Sequence, residues 1–229
     1  MAQTKHEKAL VLSDGGLAGL VASAMIAEEG LSAGISGSAG AVWAYPAHLE
    51  YSKVLGQASE RAAGRQAETL GLDFLGLAAL GSAGASARFG IKGQTESVLL
   101  VTAAYTAAQA GIRRVVWPIQ ARTESGLVDI EAAARAVDRA LLAGRLATLD
   151  LEGVEGVHGV PEVRIETPLV DLSDDELAEL ALDMAAPVRS CWWWGGQAAD
   201  LPVAEAEWAR WAPRVGGETA DAPMAGRGA

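Results

Sequence analysis

Five short apolar runs recur along the chain, separated by longer segments in which apolar and polar residues mix. Each run is bounded by turn-forming residues, which predicts a buried strand. The runs are KALVLS (8–13), AGAVWAY (39–45), LDFLGL (72–77), RRVVWPI (113–119) and EVRIETPL (162–169). Strands that alternate with helices predict a parallel sheet covered on both faces. We therefore expect a single α/β domain, a three-layer α/β/α fold with a mainly parallel, five-stranded sheet.

Glycines and capping residues predict where the helices between these strands begin and end. The first helix is expected over residues 17–29, and three helix ends are predicted at Gly30, Gly71 and Gly111. Asp129 is predicted to cap a helix over 130–144, and Ser173 opens a capping box that Glu176 completes. Residues 1–7 and 216–229 are expected to be a flexible N-terminus and tail around a domain of residues 8–215.

Composition narrows the classes of function. The 229 residues carry a formal net charge of −11, which disfavours nucleic acid as a partner because phosphate contacts need clustered cations. The most apolar stretch, VLLVTAAYTAAQAGI (98–112), is too short to cross a bilayer, and the N-terminus lacks the apolar core of a signal peptide. A cytoplasmic protein without a membrane partner is expected.

Residues 13–19 read SDGGLAG and join the predicted first strand to the predicted first helix. This order resembles the opening of the N-type ATP pyrophosphatases, the adenine-nucleotide alpha-hydrolase-like group with a HUP-like fold. Their loop, S-G-G-x-D-S, holds pyrophosphate on backbone amides at a helix N-terminus. The resemblance makes six residues a remnant of a nucleotide loop: Ser13, Asp14, Gly15, Gly16, Ala18 and Gly19.

The C-terminal third resembles one family within this group. VRIETPLVDLSDDELAELALDMAAPVRSCWWWGG (163–196) is similar to the end of 7-cyano-7-deazaguanine synthase, which has His-Thr-Pro-Leu, a short helix and P-x-x-x-T-W-S-C-Y. Thr167-Pro168-Leu169 match, and Cys191 takes the place of the cysteine in S-C-Y. GIKGQ, with Lys92 and Gln94, lies where the family has V-P-G-R-N. The resemblance covers about residues 8–215.

The residues that carry the family's chemistry are replaced. With Gly15 and Gly16 aligned to the family's glycines, Asp14 stands at the first serine, and its charge would repel a phosphate. In an alternative alignment Ser13 is that serine, but Ala18 and Gly19 still replace the aspartate and the second serine. Gln94 and Thr95 replace the family's Arg and Asn.

The family's four-cysteine zinc site is also lost. Cys191 is the single cysteine, and the histidines His6, His48 and His158 lie far apart, so no zinc is expected.

The resemblance therefore implies a catalytically degenerate relative that acts as a small-molecule-binding or protein-interaction subunit, and a homodimer by analogy. No cofactor is expected. The alternative is an active enzyme that uses ATP and Mg²⁺ to convert a 7-carboxy-7-deazaguanine to the nitrile, in queuosine precursor synthesis. A fold redirected to new chemistry through Asp14, Glu166 or Cys191 is a further version of the enzyme hypothesis.

Several candidate residues have both a structural and a functional interpretation. Asp14 is interpreted as the N-cap of the helix near Leu17, with a new catalytic carboxylate as the alternative. Cys191 is interpreted as a small buried apolar residue. Glu166 is a solvated strand end or pairs with a nearby arginine such as Arg189. Candidate pocket or interface residues are Lys92, Gln94, Cys191, Trp192, Trp193 and Trp194.

The run Trp192-Trp193-Trp194 is interpreted as core or interface packing, which Trp208 and Trp211 would join, with stacking on a flat heterocycle as the alternative. His48, Glu50, Tyr45 and Tyr51 mark either an exposed loop or a surviving pocket.

Overall fold

The computed structural model describes residues 7–46, 53–78, 93–151, 162–194 and 202–216. The strands are β1 Ala9–Ser13, β2 Gly40–Ala44, β3 Asp73–Leu77, β4 Arg114–Val116 and β5 Arg164–Glu166. The helices are α1 Leu17–Ser32, α2 Lys53–Leu70, α3 Gln94–Gln109, α4 Ile130–Leu151, α5 Asp174–Asp183 and α6 Pro202–Trp211. A 3₁₀ turn, Val188–Ser190, follows α5.

The five strands form one sheet in the order β3-β2-β1-β4-β5, and every pair is parallel. This confirms the predicted α/β class and the five-stranded sheet. The chain first builds outward from β1 through β2 to β3 and then crosses back to place β4 on the other side of β1. Such a reversal of strand order leaves a crevice at the carboxyl ends of the two strands where it occurs. Here those strands are β1 and β4.

Alternate residues of β1 face two separate cores. Val11 packs with α1, α2, α5 and α6 on one side of the sheet. Leu10 and Leu12 pack with α3 and α4 on the other. All five residues of β1 are buried, as expected for a central parallel strand with helices on both faces. The three-layer arrangement explains why β1 reads as a continuous apolar run and not as an alternating one.

Two of the predicted helix boundaries are wrong for the same physical reason. α1 continues through Gly30 to Ser32, and α4 continues through Gly144 to Leu151. A Cβ on Gly30 would lie 2.3 Å from the Ala39 Cβ, and one on Gly144 would lie 2.6 Å from the Val163 carbonyl oxygen. Both glycines therefore permit close packing of a helix on the sheet and do not end it.

The other helix signals are confirmed. Gly71 and Gly111 follow α2 and α3 with φ of +67° and +71°. The Ala132 amide donates to Asp129 Oδ1 at 2.9 Å at the start of α4. At α5, the Glu176 amide donates to Ser173 Oγ while the Ser173 amide donates to Glu176 Oε2, which completes the capping box. The Ser173 hydroxyl also donates to Glu176 Oε2, and this bond, followed by that from the Ser173 amide, lowers the pKa of the Glu176 carboxyl.

Some predictions fall outside the described residues. They concern Lys92, His48, Glu50 and Tyr51, and most of the proposed terminal segments. Within the described ranges, no helix combines the length and the apolar character that a membrane span requires.

Candidate functional site

The reversal of strand order places a pocket of about 210 Å³ at the carboxyl ends of β1 and β4. One wall is the β1–α1 loop, which contains the segment that resembles a nucleotide loop. The opposite wall combines the segment that follows β4 with α6. Tyr45, directly after β2, and Trp192 complete the lining. The pocket therefore lies at the position where open parallel sheets bind ligands.

Side chains of the β1–α1 loop accept hydrogen bonds from the loop's own backbone amides. The Gly15 amide donates to Ser13 Oγ at 3.0 Å, and the Gly16 amide donates to Asp14 Oδ1 at 2.8 Å. Phosphate loops instead direct such amides toward the ligand at a helix N-terminus. Here the Asp14 carboxylate already supplies a negative charge at the start of α1, where the helix dipole stabilises it.

The helix begins at Leu17 as predicted, but Asp14 is not its N-cap. Gly16 holds that position, without a side-chain capping bond. Because Asp14 lies two residues earlier, its carboxylate reaches the amide of Gly16 itself and forms an aspartate turn.

The loop also has no room for the serine that the family pattern places at residue 19. A Cβ on Gly19 would lie 2.3 Å from Ser13 Oγ, and Ser13 is fully buried.

Gln66, which sequence reasoning missed, supports the loop from below. Its side chain is fully buried on α2, and its Nε2 donates to the Gly15 carbonyl oxygen at 3.1 Å. The Trp192 amide donates to the same oxygen at 3.1 Å. The sequence feature that could have indicated this role is a polar residue among the alanines Ala62, Ala63 and Ala67, which are buried in the structure. A buried polar side chain needs a specific hydrogen-bond partner.

Cys191 is buried, and its Sγ lies 3.8 Å from Gln66 Nε2. Burial, and secondarily the negative charge of Asp14, raises the pKa of the Cys191 thiol well above its usual range. A protonated thiol is a poor nucleophile. The donor set does not fit the family's zinc site, since the described residues contain no group of three or more His, Cys, Asp or Glu that could hold a metal ion.

The three consecutive tryptophans have different environments. Trp192 and Trp193 are buried, whereas Trp194 is partly exposed. The rings of Trp193, Trp194 and Trp208 form a cluster with centroid separations of 5.0–6.3 Å, in the range of favourable aromatic pairs. Trp193 therefore belongs to the core. Trp192 belongs to the same core and also lines the pocket.

The wall opposite the loop is built around Asp174, which is 4% exposed. Arg210 on α6 approaches both carboxylate oxygens, and its Nε donates to Asp174 Oδ2 at 2.7 Å. Arg122 Nε lies 3.8 Å from Asp174 Oδ1. Burial, and then the nearby charge of Arg210, lowers the pKa of Arg122. The sequence showed Asp174 as a first-turn acid of α5 but gave no sign of its arginine partners.

α6 adds two further contacts to this wall. Arg210 Nη2 donates to Gln120 Oε1 at 3.0 Å, and the Arg210 guanidinium lies 3.9 Å from the centre of the Trp211 ring. Trp211 Nε1 donates to Glu207 Oε2 at 2.7 Å. Trp211 thus contributes to the pocket wall and not to the tryptophan cluster, whereas Trp208 joins that cluster.

We expect Arg210→Met to lower the free energy of unfolding by about 2 kcal/mol, because it leaves a buried carboxylate with a single, more distant counter-charge. Arg214→Met is the matched control, since Arg214 pairs with the exposed Asp175 and should cost less than about 0.5 kcal/mol. Urea denaturation followed by circular dichroism measures both values. Equal costs for the two variants would contradict a structural role for the Arg210–Asp174 pair.

The remaining sequence candidates lie away from the pocket lining. Glu166 does not pair with Arg189; its Oε2 accepts from Arg114 Nε at 2.7 Å. Arg114 also bonds Glu29, and these carboxylates raise the pKa of Arg114. Arg189 instead lies 5.7 Å from the Trp194 ring centre. Gln94 begins α3.

Tyr45 lies beside the loop, and its amide donates to the Ser13 carbonyl oxygen at 2.9 Å. Burial, followed by the charges of Asp14 and Glu96, raises the pKa of the Tyr45 hydroxyl. The hydroxyl is therefore protonated at neutral pH, and Tyr45 is one of the residues that line the pocket.

Comparison of the chain with protein-family models finds no match, and no curated protein matches it either.

Proposed function

We propose that this protein is a catalytically degenerate relative of 7-cyano-7-deazaguanine synthase that binds a small polar molecule in the pocket between β1 and β4. The observation that supports this proposal most directly is the hydrogen bonding within the β1–α1 loop. The Asp14 carboxylate accepts a hydrogen bond from the Gly16 amide and places a negative charge at the start of α1. An anionic phosphate would compete with this carboxylate for the same amide and the same helix end.

The size of the pocket supports a ligand smaller than a nucleotide. Its volume of about 210 Å³ is below the roughly 300 Å³ at which pockets for drug-sized ligands begin. A single heterocyclic base is the class of molecule that suits this volume.

The chemistry of the walls supports the same ligand class. Trp192 offers aromatic surface, and Asp14 offers a charged acceptor for ring N–H and amino groups. Arg122 and the Tyr45 hydroxyl provide donors. Flat heterocycles that carry both donors and acceptors, such as the deazaguanines implied by the family resemblance, match this arrangement.

The test is a thermal-shift titration with 7-cyano-7-deazaguanine and its 7-carboxy counterpart, compared with Mg-ATP and inorganic pyrophosphate. A ligand that binds only the folded state raises the Tm, by roughly 5–10 °C at a hundred times its Kd for a chain of this size. We expect a saturable rise with a deazaguanine and less than about 1 °C with millimolar Mg-ATP.

Asp14→Asn is the informative variant, because an asparagine oxygen still accepts from the Gly16 amide while the charge is removed. It should weaken deazaguanine binding about tenfold or more, the value of a charged hydrogen bond. Asp183→Asn, on the exposed end of α5, is the matched control and should bind like the wild type.

Each outcome decides between stated functions. A magnesium-dependent shift with ATP would overturn the degenerate-enzyme proposal in favour of an active synthase. The absence of a shift with either deazaguanine would overturn the small-molecule role and leave the protein-interaction role.

A further inference from the structure

α4 has small residues on its buried face and large apolar residues on its exposed face. Its inner face, against α3 and the sheet, consists of small residues: Ala136, Ala140, Ala143, Gly144 and Ala147. Most of its large apolar side chains point away from the fold; Leu141 is 62% exposed and Leu142 67% exposed. The exposed set on this helix also includes Ile130, Val137, Leu146 and Leu149.

A row of large apolar side chains along one helix differs from the scattered apolar residues normal on a protein surface. Contiguous patches of several hundred Å² usually mark an interaction site. The small inner residues let α4 pack closely on the sheet, so its leucines are not required for the chain's own core. We call the outward surface formed by Val137, Asp138, Leu141, Leu142, Arg145, Leu146 and Leu149 the α4 face.

Two charges on the α4 face are arranged in a self-complementary way. Asp138 and Arg145 are both exposed, lie seven residues apart and so project from the same side of the helix two turns from one another. Neither takes part in an ion pair within the described portion of the chain. Leu141 and Leu142 lie midway between them.

We propose that the α4 face binds the α4 face of a second copy of this chain, with the two helices antiparallel about a twofold axis between Leu141 and Leu142. Such an axis places Asp138 of each copy opposite Arg145 of the other. It also brings the central leucines of the two copies, Leu141 and Leu142, together. A twofold interface requires this reciprocity, because residue i meets residue j only if residue j also meets residue i.

The surface beside α4 supports this arrangement. A groove of about 200 Å³ between α4 and β5 is lined by Val137, Leu141 and the aliphatic part of Arg145. Its lining is mostly apolar, so it provides a recess for a large apolar side chain from the opposing helix. Because the twofold axis brings the same side of each helix together, the second copy supplies such a side chain at Leu141.

The first experiment is sedimentation equilibrium of the full chain over a range of concentrations. The wild type should show a mass of twice 23.5 kDa. Leu142→Lys should raise the dimer Kd at least about thirtyfold, the effect of losing a central contact. Leu182→Lys is the matched control, because Leu182 is 52% exposed on α5. Far-UV circular dichroism confirms that each variant is folded.

The second experiment tests the orientation by exchanging charges. D138R alone places two arginines opposite one another at both ends of the interface, and R145D alone places two aspartates there. Each should weaken the dimer about tenfold or more. The double variant D138R/R145D restores both pairs with their signs reversed and should recover most of the wild-type affinity.

A monomeric wild type at every concentration would overturn the proposal. So would a dimer that is insensitive to Leu142→Lys, since it would use another surface, or a double variant no stronger than either single one. None of these measurements involves the pocket, so their failure is distinct from that of the proposed ligand.

Discussion

Replacing Trp193 with alanine should lower the free energy of unfolding by about 4 kcal/mol, the largest effect of any single side-chain truncation we expect in this protein. Trp193 is 1% exposed, and its ring contacts those of Trp194 and Trp208. Its removal leaves a cavity that surrounding helices fill only in part, and it also removes two aromatic contacts. Urea denaturation monitored by circular dichroism measures the change.

The phenylalanine variant separates packing from hydrogen bonding. The Trp193 Nε1 atom is buried and has no hydrogen-bond partner among the described residues. Trp193→Phe loses some volume but also removes this unpaired donor, whose burial costs about 1–3 kcal/mol. We therefore expect Trp193→Phe to cost less than about 1.5 kcal/mol. Trp208→Ala, at a partly exposed member of the same cluster, should fall between the two.

The order of these three costs is the decisive result. If Trp193→Phe were as harmful as Trp193→Ala, the indole N–H would have a stabilising partner and the packing interpretation would fail. The same variants also bear on the site. Because Trp193 does not line the pocket, Trp193→Phe should leave the affinity for a pocket ligand unchanged.

The strands were predictable because parallel strands covered on both faces are continuously apolar, and that signal lies within a few consecutive residues. The helix ends were less predictable. Gly30 and Gly144 look like helix terminators in sequence, but they lie within helices because Ala39 and the Val163 carbonyl oxygen approach too closely for a Cβ. A terminating glycine and a packing glycine differ only in what lies opposite, which the sequence does not state.

The candidate site shows the same difference between features carried by consecutive residues and contacts made by distant ones. The β1–α1 loop was found because its residues are consecutive and resemble a known pattern. The partners of that loop were missed because they come from distant segments, such as Gln66, which lies 51 residues from Gly15. The sequence predicted for Glu166 either a solvated strand end or a pair with a nearby arginine such as Arg189, whereas the pairing of β4 with β5 brings Arg114 to it.

Taken together, the loop contacts explain why Asp14 is compatible with this fold. Its carboxylate satisfies one amide, and the helix dipole stabilises its charge. Gly15, held by Gln66 and Trp192, fixes the turn that places Asp14 at the edge of the pocket. The stability of the turn and the composition of the pocket therefore depend on the same few residues.

That dependence gives the second large effect: Gly15→Ala should lower the free energy of unfolding by about 3 kcal/mol. Gly15 has a φ of +73°, which costs an L-residue roughly 1–2 kcal/mol. A Cβ there would also lie 2.7 Å from the Ser59 carbonyl oxygen and 2.8 Å from the Ala62 Cβ, so α2 would have to move. Overpacking of this kind adds about 1–3 kcal/mol. Thermal unfolding should show a Tm about 6–12 °C lower.

Gly34→Ala is the matched control, because Gly34 has a similar φ of +66° and nothing within 4 Å of the added Cβ. It should cost only about 1 kcal/mol, the backbone contribution alone. The difference between the two variants measures the contact between the β1–α1 loop and α2. Since a shift of this loop also moves Asp14, Gly15→Ala should weaken binding of a pocket ligand while Gly34→Ala leaves it unchanged. Equal destabilisation by the two substitutions would show that the loop is not packed against α2 as described, and the position assigned to Asp14 would then lose its support.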